Sequence, residues 1–587
     1  MPEREPTCIG RVRHILGAQV TVALDPDLAG AAPIYRGQLQ RIGQIGSIVR
    51  IPQGMVDLIG QVSLLGIAEL SGASRPTETV QVGERWLQIE LLGEINRATN
   101  AFQRGVGSYP GLDDPVHFAT PGDLQALFPA ETDATVRVGR LAAADEIPVC
   151  VDASRFVTRH VAVVGSTGSG KTSCVASLLQ GFARGGWDAA NIVVIDPHGE
   201  YAEALGDLAS VRSVLSSGDE GIRVPFWALP ASDILAAFAG SQGGPTTQSR
   251  FSELVTKARR EFSNAATWLD IDEAAVTADT PIPFDLRAVW HQLDIENNET
   301  HRVLKDPSTA AIETDGDAAR LEPRKFEPYG AGNVAPFKGP YHGMHGALPE
   351  LLRLGLLDPR LSFLQHPEGD KAGSDPLTEE VANWLGREKP ISILDFSGVP
   401  EAASEMAIGV ILSLIFEAAT RSPSTGDGIG RSRPVLIVLE EAHRYLGESA
   451  VAMARKSANR IAREGRKYGV GLMLVTQRPS ELPDTALAQS GTLVALRLSN
   501  SSDQAKIRAA LPDSVSGLAA VLPSLRTGEA LITGESVSLP ARTLVDAPKP
   551  FPNAHDPSLD SWRAQSSVPN VAAAIASWRG TYNPEES

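Results

Sequence analysis

Residues 161–172 read VAVVGSTGSGKT, a short apolar run followed by a glycine-rich segment that ends in lysine and threonine. The order Gly165, four residues, Gly170, Lys171, Thr172 is that of a phosphate-binding loop, and the helical pattern SCVASLLQGFA follows it. Glycines let backbone N–H groups turn toward phosphate oxygens, and the new helix directs its positive end at them. A plain glycine turn is the alternative, but such a turn requires neither the strand before it nor the helix after it.

This loop predicts a site for ATP and Mg²⁺. We expect Lys171 to reach the β- and γ-phosphates and Thr172 to bind the metal ion. The predicted nucleotide contacts are Gly165, Ser166, Thr167, Gly168, Ser169, Gly170, Lys171, Thr172 and Ser173.

Apolar strands alternate with amphipathic helices from Arg159 onward, which is typical of a parallel sheet covered by helices on both faces. The predicted strands are 161–164, 191–196, 391–396, 435–440, 471–476 and 492–498. Ligands of open α/β sheets bind at the carboxyl ends of the strands, so we expect the site residues there. The predicted fold class is therefore α/β with a mainly parallel sheet.

The chain of 587 residues is too long for one hydrophobic core, since cores stop growing at roughly 250–300 residues. Residues 1–150 carry short β-rich runs broken by Gly, Pro and Asp, which predicts a small antiparallel barrel or sandwich with connecting loops. Residues 151–545 form the predicted ATPase core. A mostly helical insertion at about 216–385, with helices at 233–240 and 249–268, interrupts it. The Pro-rich tail from residue 546 to 587 is a candidate arm that packs on a neighbouring subunit.

Charge and cysteine content limit the possible partners. The formal net charge of −17 predicts an outer surface that repels DNA, so nucleic-acid binding must be confined to a basic groove or pore. The three cysteines contain no CxxC pair, which argues against a zinc site and fits a reducing cytoplasm. The start has no long apolar segment, and the apolar run 406–416 is too short to cross a bilayer, which favours a cytoplasmic protein with a buried core helix.

A second motif, VLIVLEEAHRYL at 435–446, delivers Glu440 and Glu441 to the end of a buried strand. Adjacent buried carboxylates are costly unless a cation compensates them. We assign Glu440 to the Mg²⁺ shell through water, and Glu441 to polarising the attacking water. The alternative is an ordinary strand end at which acidic side chains suit the start of a helix.

Two further strand ends carry polar residues. Gln477 follows GLMLVT and is placed to hydrogen-bond the γ-phosphate or the water, or else is a simple polar cap. The strand NIVVID ends in DPHGEY, which brings Asp196, His198 and Glu200 near the nucleotide. Acidic turns of this kind are common, so no metal-ligand role is assigned to His198.

The segment 453–467, MARKSANRIAREGRK, is rich in cations. Arg463 and Arg466 are three residues apart and share one helix face. Arg466 is a candidate arginine finger that neutralises charge on ATP held by the next subunit, and Arg159 is a second candidate. Some of these cations are candidates for DNA phosphate contacts, although a solvated helix face is equally consistent with the pattern. They are Arg455, Lys456, Arg460, Arg463, Arg466 and Lys467.

The set of motifs resembles the HerA ATPases, hexameric motors of the HerA/FtsK branch of the RecA-like fold. The matching segments occur in family order between residues 159 and 540: RHVAVVGSTGSGKT, IDPHGEY, ILDFSGVP, VLIVLEEAHRYL, IAREGRKYGVGLMLVTQRPSELP, LVALRLSNSSDQ and LPSLRTGEALITGESVSLP. The N-terminal region with VGSYPGLDDPVHFATP is similar to the small β-barrel that precedes the motor in this family. One departure is Glu440, where many phosphate-loop motors have Asp.

The resemblance implies a RecA-like core in a homohexameric ring, with ATP between subunits. One protomer would supply Lys171, Thr172, Glu440, Glu441 and Gln477, and its neighbour an arginine. It further implies double-stranded DNA in the central channel. A separate nuclease or sirtuin-like effector would dock on the N-terminal barrel, in DNA-end processing or antiphage defence.

Three hypotheses follow. The first is an ATP-driven DNA translocase that drives an effector. The second is an ATP-binding ring that assembles and regulates a defence effector with little DNA movement. The third is a conjugation or secretion coupling ATPase, against which the lack of a predicted spanning segment counts.

Overall fold

The computed structural model describes residues 7–26, 28, 34–35, 38–39, 44–67, 85–214, 216, 220–239, 244–332, 334–358, 375–386, 389–512, 515, 517–553, 562 and 571–578. The chain forms two compact units, 1–552 and 553–587. The sheets and the predicted site belong to the first unit, and a short helix belongs to the second.

The strands are β1 (Cys8–Leu16), β2 (Gln19–Leu24), β3 (Ile34–Tyr35), β4 (Gln38–Leu39), β5 (Ile48–Gln53), β6 (Val56–Ile67), β7 (Arg85–Asn96), β8 (Ala101–Arg104), β9 (Pro115–Phe118), β10 (Thr135–Leu141), β11 (Ala144–Asp152), β12 (Val161–Val164), β13 (Asn191–Asp196), β14 (Ala209–Ser213), β15 (Thr300–His301), β16 (Ile312–Thr314), β17 (Lys325–Phe326), β18 (Phe337–Lys338), β19 (Ile391–Asp395), β20 (Val435–Leu439), β21 (Val470–Thr476), β22 (Thr492–Ala495), β23 (Glu529–Gly534) and β24 (Ala541–Val545).

The α-helices are α1 (Pro121–Leu127), α2 (Ala153–Thr158), α3 (Lys171–Arg184), α4 (Ala202–Leu205), α5 (Ala231–Ala239), α6 (Pro245–Ala265), α7 (Leu286–Asn298), α8 (Leu348–Leu357), α9 (Pro376–Trp384), α10 (Glu401–Arg421), α11 (His443–Leu446), α12 (Ala452–Tyr468), α13 (Asp484–Gln489), α14 (Ser501–Ala510) and α15 (Val571–Trp578).

The N-terminal strands close into a barrel. They pair in the order β2-β1-β9-β5-β6-β7, and an additional pairing between β2 and β7 completes the ring, with β8 hydrogen-bonded to β7 outside it. Closure removes the free strand edges that an open sandwich would leave. A separate apolar cluster that includes Ile9, Val49 and Leu87 fills this barrel. The structure therefore confirms a barrel and excludes the sandwich.

The large sheet has eleven strands in the order β11-β10-β24-β23-β22-β12-β21-β20-β13-β19-β14. The seven strands from β22 to β14 run parallel, and four antiparallel strands extend one edge. All six strands predicted for the core are present. The sheet starts at residue 135, upstream of the boundary predicted at residue 151, and β14 is a parallel edge strand that the sequence did not reveal.

Strand alternation distributes the apolar side chains to two cores. Val161 and Val163 of β12 pack in one cluster with residues of α3, whereas Ala162 and Val164 pack in another with residues of α10 and α12. Successive side chains of a strand point to opposite faces, so a strand buried on both faces reads as a continuous apolar run. This is the mainly parallel sheet covered by helices on both faces that the sequence predicts.

Helix α10 contains the apolar run 406–416 that the sequence assigns to a buried core helix. Among the described helices, α10 alone has the length and composition to cross a membrane, but 78% of its most apolar window is buried within the fold. The helix packs against α12. There Gly409 allows a close approach, since an added Cβ would lie 2.7 Å from the backbone nitrogen of Ala454.

The segment between β14 and β19 carries helices α5 to α9 and four short strands. Helices α5 and α6 lie where helices were predicted at 233–240 and 249–268. An ion pair of 2.7 Å between Asp233 of α5 and Lys456 of α12 joins this segment to the core.

Candidate functional site

Residues 165–170 form a loop between β12 and α3, as the sequence predicts. Gly168 and Gly170 have φ values of +71° and +92°, in the left-handed region that favours glycine. The first N–H groups of α3 have no acceptor within the helix, and Gly170 has no side chain to satisfy them. They are therefore directed at the space beyond the loop, where an anion is favoured.

Glu440 lies directly after β20 and is only 2% exposed. Its Oε1 is 3.9 Å from Nζ of Lys171, and its Oε2 accepts a hydrogen bond of 2.6 Å from the hydroxyl of buried Tyr201. Burial raises the pKa of Glu440 to about 7, against the opposing effects of Lys171 and Tyr201. The carboxylate thus has one nearby cation and one neutral donor.

Glu441 has a φ of +51°, a left-handed conformation that is costly for a residue with a side chain. Its Oε2 lies 3.2 Å from Nδ1 of His443, which is also 3.1 Å from Oγ1 of Thr476. Burial acts to raise the pKa of Glu441, but His443 and Lys171 outweigh it and the net shift is downward. Glu441 therefore favours its ionised form beside the loop.

The turn after β13 places only some of its residues at the loop. Thr172 donates a hydrogen bond of 3.0 Å to Glu200. Asp196 instead accepts the backbone N–H groups of His198, Gly199 and Tyr201 and holds the turn in shape. Burial raises the pKa of Asp196. Its part is to fix the turn that carries Glu200 and Tyr201.

Gln477 lies directly after β21, which neighbours the loop strand β12. Its Oε1 accepts a hydrogen bond of 2.8 Å from the hydroxyl of Thr167. The N–H of Gly165 donates to the carbonyl of Thr476 at 3.3 Å. The structure therefore brings Gln477 to the loop.

The opposite side of the loop contacts residues that were not predicted for the site. The side chain of Arg497 and the hydroxyl of Thr527 both donate to the carbonyl of Gly168, each at 3.3 Å. The N–H of Gly528 donates to the carbonyl of Ser169 at 3.0 Å. These residues belong to the segments LVALRLSNSSDQ and LPSLRTGEALITGE. Both segments match family motifs in the sequence, but no role was predicted for these residues.

The two arginine-finger candidates lie at the amino-terminal edge of the sheet. Arg159 precedes β12 and forms an ion pair with Glu535, while Arg466 is exposed in the last turn of α12, just before β21 begins. Seven residues of β21 separate that edge from Gln477, which amounts to ~20 Å. Neither arginine is therefore brought to the phosphate-binding loop of its own protomer.

The side chains at the loop fit a nucleoside triphosphate with Mg²⁺. Glu200 accepts a hydrogen bond from Thr172, and Glu440 and Glu441 both feel the charge of Lys171, so the negative charge exceeds that of the nearby lysine, although among the described residues no three His, Cys, Asp or Glu side chains lie close enough together to hold a metal ion on their own. A divalent cation with oxygen ligands compensates such an excess. The unsatisfied N–H groups of α3 suit phosphate oxygens.

Comparisons with known proteins identify the family. A model of the HerA helicase central domain matches residues 136–328, and a model of the HerA-like helicase C-terminal domain matches residues 384–550. The DNA double-strand break repair helicase HerA of Sulfolobus acidocaldarius is 26% identical over 474 residues, which cover 80% of each chain. A probable helicase of Methanocaldococcus jannaschii is 25% identical over 484 residues, covering 81% of this chain and 82% of the relative.

Among solved structures, VirB4 of Thermoanaerobacter pseudethanolicus is 14% identical with a TM-score of 0.44, and covers 71% of this chain and 97% of its own. The plasmid coupling protein TrwB bound to an ATP analogue is 15% identical with a TM-score of 0.43, covering 75% and 95%. These structural similarities are low, and the fold described above does not depend on them. On the two domain matches and the relatives that span four fifths of its length, the chain belongs to the HerA family of ATP-hydrolysing, helicase-type enzymes.

Proposed function

We propose that this protein is an ATP-driven double-stranded DNA translocase that works as a homohexameric ring with ATP between its protomers. The observation that carries the proposal is the convergence of Lys171, Thr172, Glu440, Glu441 and Gln477 at the carboxyl ends of β12, β20 and β21. The name of the Sulfolobus acidocaldarius relative, a DNA double-strand break repair helicase, supports DNA as the substrate.

Within one protomer, the loop residues 165–173 bind the phosphate chain through backbone N–H groups, and Lys171 neutralises its terminal charge. Thr172 and Glu440 would hold the metal ion, and the ion would supply charge neutralisation at the phosphates. Glu441 polarises the attacking water, and its lowered pKa keeps the carboxylate ionised for that role. Gln477 orients the water or the terminal phosphate, and its bond to Thr167 couples it to the loop.

The charge on the transferred phosphate is neutralised by an arginine from the neighbouring protomer. Arg466 is the better candidate, because it is exposed and lies ~20 Å of strand length from the loop of its own protomer. A residue in that position reaches a nucleotide only across a subunit boundary. Arg159 is the second candidate, but its ion pair with Glu535 must first break.

Within the described residues, some cations of the basic segment of α12 form ion pairs with acidic side chains and others do not. Lys456 is paired with Asp233 at 2.7 Å, and Arg460 is paired with Glu417. Arg463 and Arg466 form no ion pair with any residue that the structure describes, and both are exposed. We assign DNA phosphate contact to Arg463.

A separate effector, nuclease-type or sirtuin-like, docks on the barrel and acts in DNA-end processing or antiphage defence. Support comes from exposed large apolar side chains of the N-terminal region. Leu16 at the end of β1, Met55 between β5 and β6, and Tyr109 and Leu112 between β8 and β9 are 68%, 69%, 56% and 68% exposed. Large exposed apolar patches are typical of protein contact surfaces.

The test compares wild type with E441Q and K171A on linear duplex DNA. We expect E441Q to bind ATP normally and to hydrolyse it at least about 100-fold more slowly, and K171A to lose binding. Translocation, measured by displacement of a triplex-forming strand, should be lost in both. If E441Q still supports full effector activity, the protein is an assembly scaffold, and the motor proposal fails.

A further inference from the structure

Arg497 lies where β22 ends, and its side chain reaches the phosphate-binding loop. β22 pairs in parallel with β12, so Arg497 is carried to the same edge of the sheet as the loop. The N–H of Ser166 donates to its backbone carbonyl at 2.9 Å, and the N–H of Ser499 donates to the hydroxyl of Ser166 at 3.1 Å. The backbone on both sides of Arg497 is therefore fixed to the loop.

The guanidinium of Arg497 has no acidic partner in the part of the chain that the structure describes. Its recorded hydrogen bond goes to the neutral carbonyl of Gly168 at 3.3 Å, although a guanidinium has five N–H donors. By contrast, Arg526 and Arg542, which also lie near this end of the sheet, both pair with the buried carboxylate of Glu529. Arg497 is a cation held at the loop with most of its hydrogen-bonding capacity unused.

The carbonyl of Gly168 does not depend on Arg497 alone, because Thr527 also donates to it at 3.3 Å. A residue that only held this carbonyl in place, as a structural clamp, would need neither a second donor nor a positive charge. A bond between a guanidinium and a phosphate is roughly twice as strong as a bond between two neutral groups. The positive charge of Arg497 therefore strengthens binding at the loop only when an anion is bound there.

We propose that Arg497 binds the phosphate chain of the nucleotide in its own protomer, as a second cation beside Lys171. The inference rests on the proposed nucleotide site and deepens it, since it names a binding residue on the C-terminal side of the loop. Arg497 acts within the protomer, whereas the arginine assigned to catalysis acts from the neighbour. The intact protein would then hold the nucleotide between cations of three different elements.

Two substitutions separate phosphate binding from a structural clamp. R497Q removes the charge but keeps an N–H donor for the Gly168 carbonyl, and R497K keeps the charge but loses the planar fork. Equilibrium binding of ADP and of a non-hydrolysable ATP analogue is measured with each purified full-length variant. We expect R497Q to weaken binding about tenfold or more and R497K to recover most of that loss. Thermal unfolding without nucleotide should be unchanged in both.

The outcomes are distinguishable. Normal nucleotide binding by R497Q overturns the proposal, because a neutral donor then suffices. Equal loss in both variants together with a lower unfolding temperature also overturns it, in favour of a structural clamp. T527V measures what the other donor to the Gly168 carbonyl contributes, and we expect a smaller loss than for R497Q. If K171A binds nucleotide normally, the proposed site itself is wrong, whatever R497Q does.

Discussion

The hydroxyl of Tyr201 donates a hydrogen bond of 2.6 Å to Glu440, and the two residues are 0% and 2% exposed. They are 239 positions apart in sequence. Asp196 makes this contact possible, because it accepts the N–H of Tyr201 at 3.0 Å and fixes the turn after β13. The orientation of Glu440 therefore depends on a residue outside the acidic motif.

Substituting Phe for Tyr201 removes this bond without changing the packed ring. The carboxylate of Glu440 then has Lys171 alone beside it, and the pKa, already raised to about 7 by burial, rises further. We expect Y201F to lower kcat for ATP about tenfold and to destabilise the fold by about 1.5–3 kcal/mol, the usual range for a bond to a charged group. Steady-state ATPase assays and thermal unfolding measure the two effects.

Tyr445 offers a matched control, since it is equally buried but its hydroxyl has no partner among the described residues. Y445F should leave kcat unchanged and should not lower the free energy of unfolding, since a hydroxyl with no partner has no bond to lose and its burial is itself unfavourable. Equal effects in the two variants would mean that loss of a buried hydroxyl, and not the bond to Glu440, determines the result.

Arg466 and Lys171 are predicted to act in the same active site from different protomers. K171A and R466A should each abolish ATP hydrolysis as pure rings. In an equal mixture of the two variants, about a quarter of all interfaces pair the loop of an R466A protomer with the arginine of a K171A protomer. Lys171 and Arg466 are both present at such an interface, so its site is intact. We expect activity to return on mixing, measured after subunit exchange.

The matched mixture is K171A with E441Q, whose defects lie in the loop and the base of the same protomer. Neither protomer then has an intact site, so activity should stay absent. Recovery in this control, or no recovery with R466A, would place Arg466 outside the shared site.

Arg463 and Arg460 have similar positions on α12 but different surroundings. Arg460 is paired with Glu417 and lies 4.8 Å from the ring centre of Phe416, whereas Arg463 donates only to the carbonyl of Asn459, at 3.4 Å, within the described residues. We expect R463A to reduce the slope of log Kd for duplex DNA against log salt by about one. R460A should leave that slope unchanged, and equal slopes for both variants and wild type would exclude Arg463 as a DNA phosphate contact.

The predicted strands and strand ends correspond closely to the structure, because two kinds of signal are local in sequence. Continuous apolar runs identify strands buried on both faces. Glu440 and Gln477 each follow such a run directly, and Lys171 follows one after the glycine-rich loop 165–170. Parallel strands bring their carboxyl ends to one edge, so residues hundreds of positions apart were predicted to meet.

The contacts that were missed depend on pairing that no local pattern encodes. β23 pairs antiparallel with both β22 and β24, and the residues just before it, Thr527 and Gly528, contact the loop. The side-chain partner of Glu440 lies in a turn whose sequence, DPHGEY, indicates acidic ligands and not the tyrosine hydroxyl. The choice between a barrel and a sandwich likewise depended on the pairing of β2 with β7.

Asp294 of α7 carries a pH dependence of stability. It is 9% exposed, and its Oδ2 has no partner among the described residues, while Oδ1 accepts from Asn298 at 3.0 Å. Burial, together with the charge of Glu350, raises the pKa of Asp294 to about 6 despite Arg353 and Asn298. The folded state therefore holds its proton more tightly than the unfolded state, and stability falls as pH rises from about 4 to about 6.

D294N removes this ionisation and keeps the acceptor for Asn298. At pH 8 we expect the variant to be more stable than wild type by about 1–3 kcal/mol, because the shift of roughly two pKa units costs that much when the carboxylate is ionised. At pH 4 to 5 the advantage should shrink. Hydrogen exchange of the α7 amides, corrected for intrinsic rates at each pH, measures the difference in the intact protein. A stability difference between D294N and wild type that is equally large at both pH values would contradict the assignment, since an effect of packing alone does not depend on the titration of one carboxyl group.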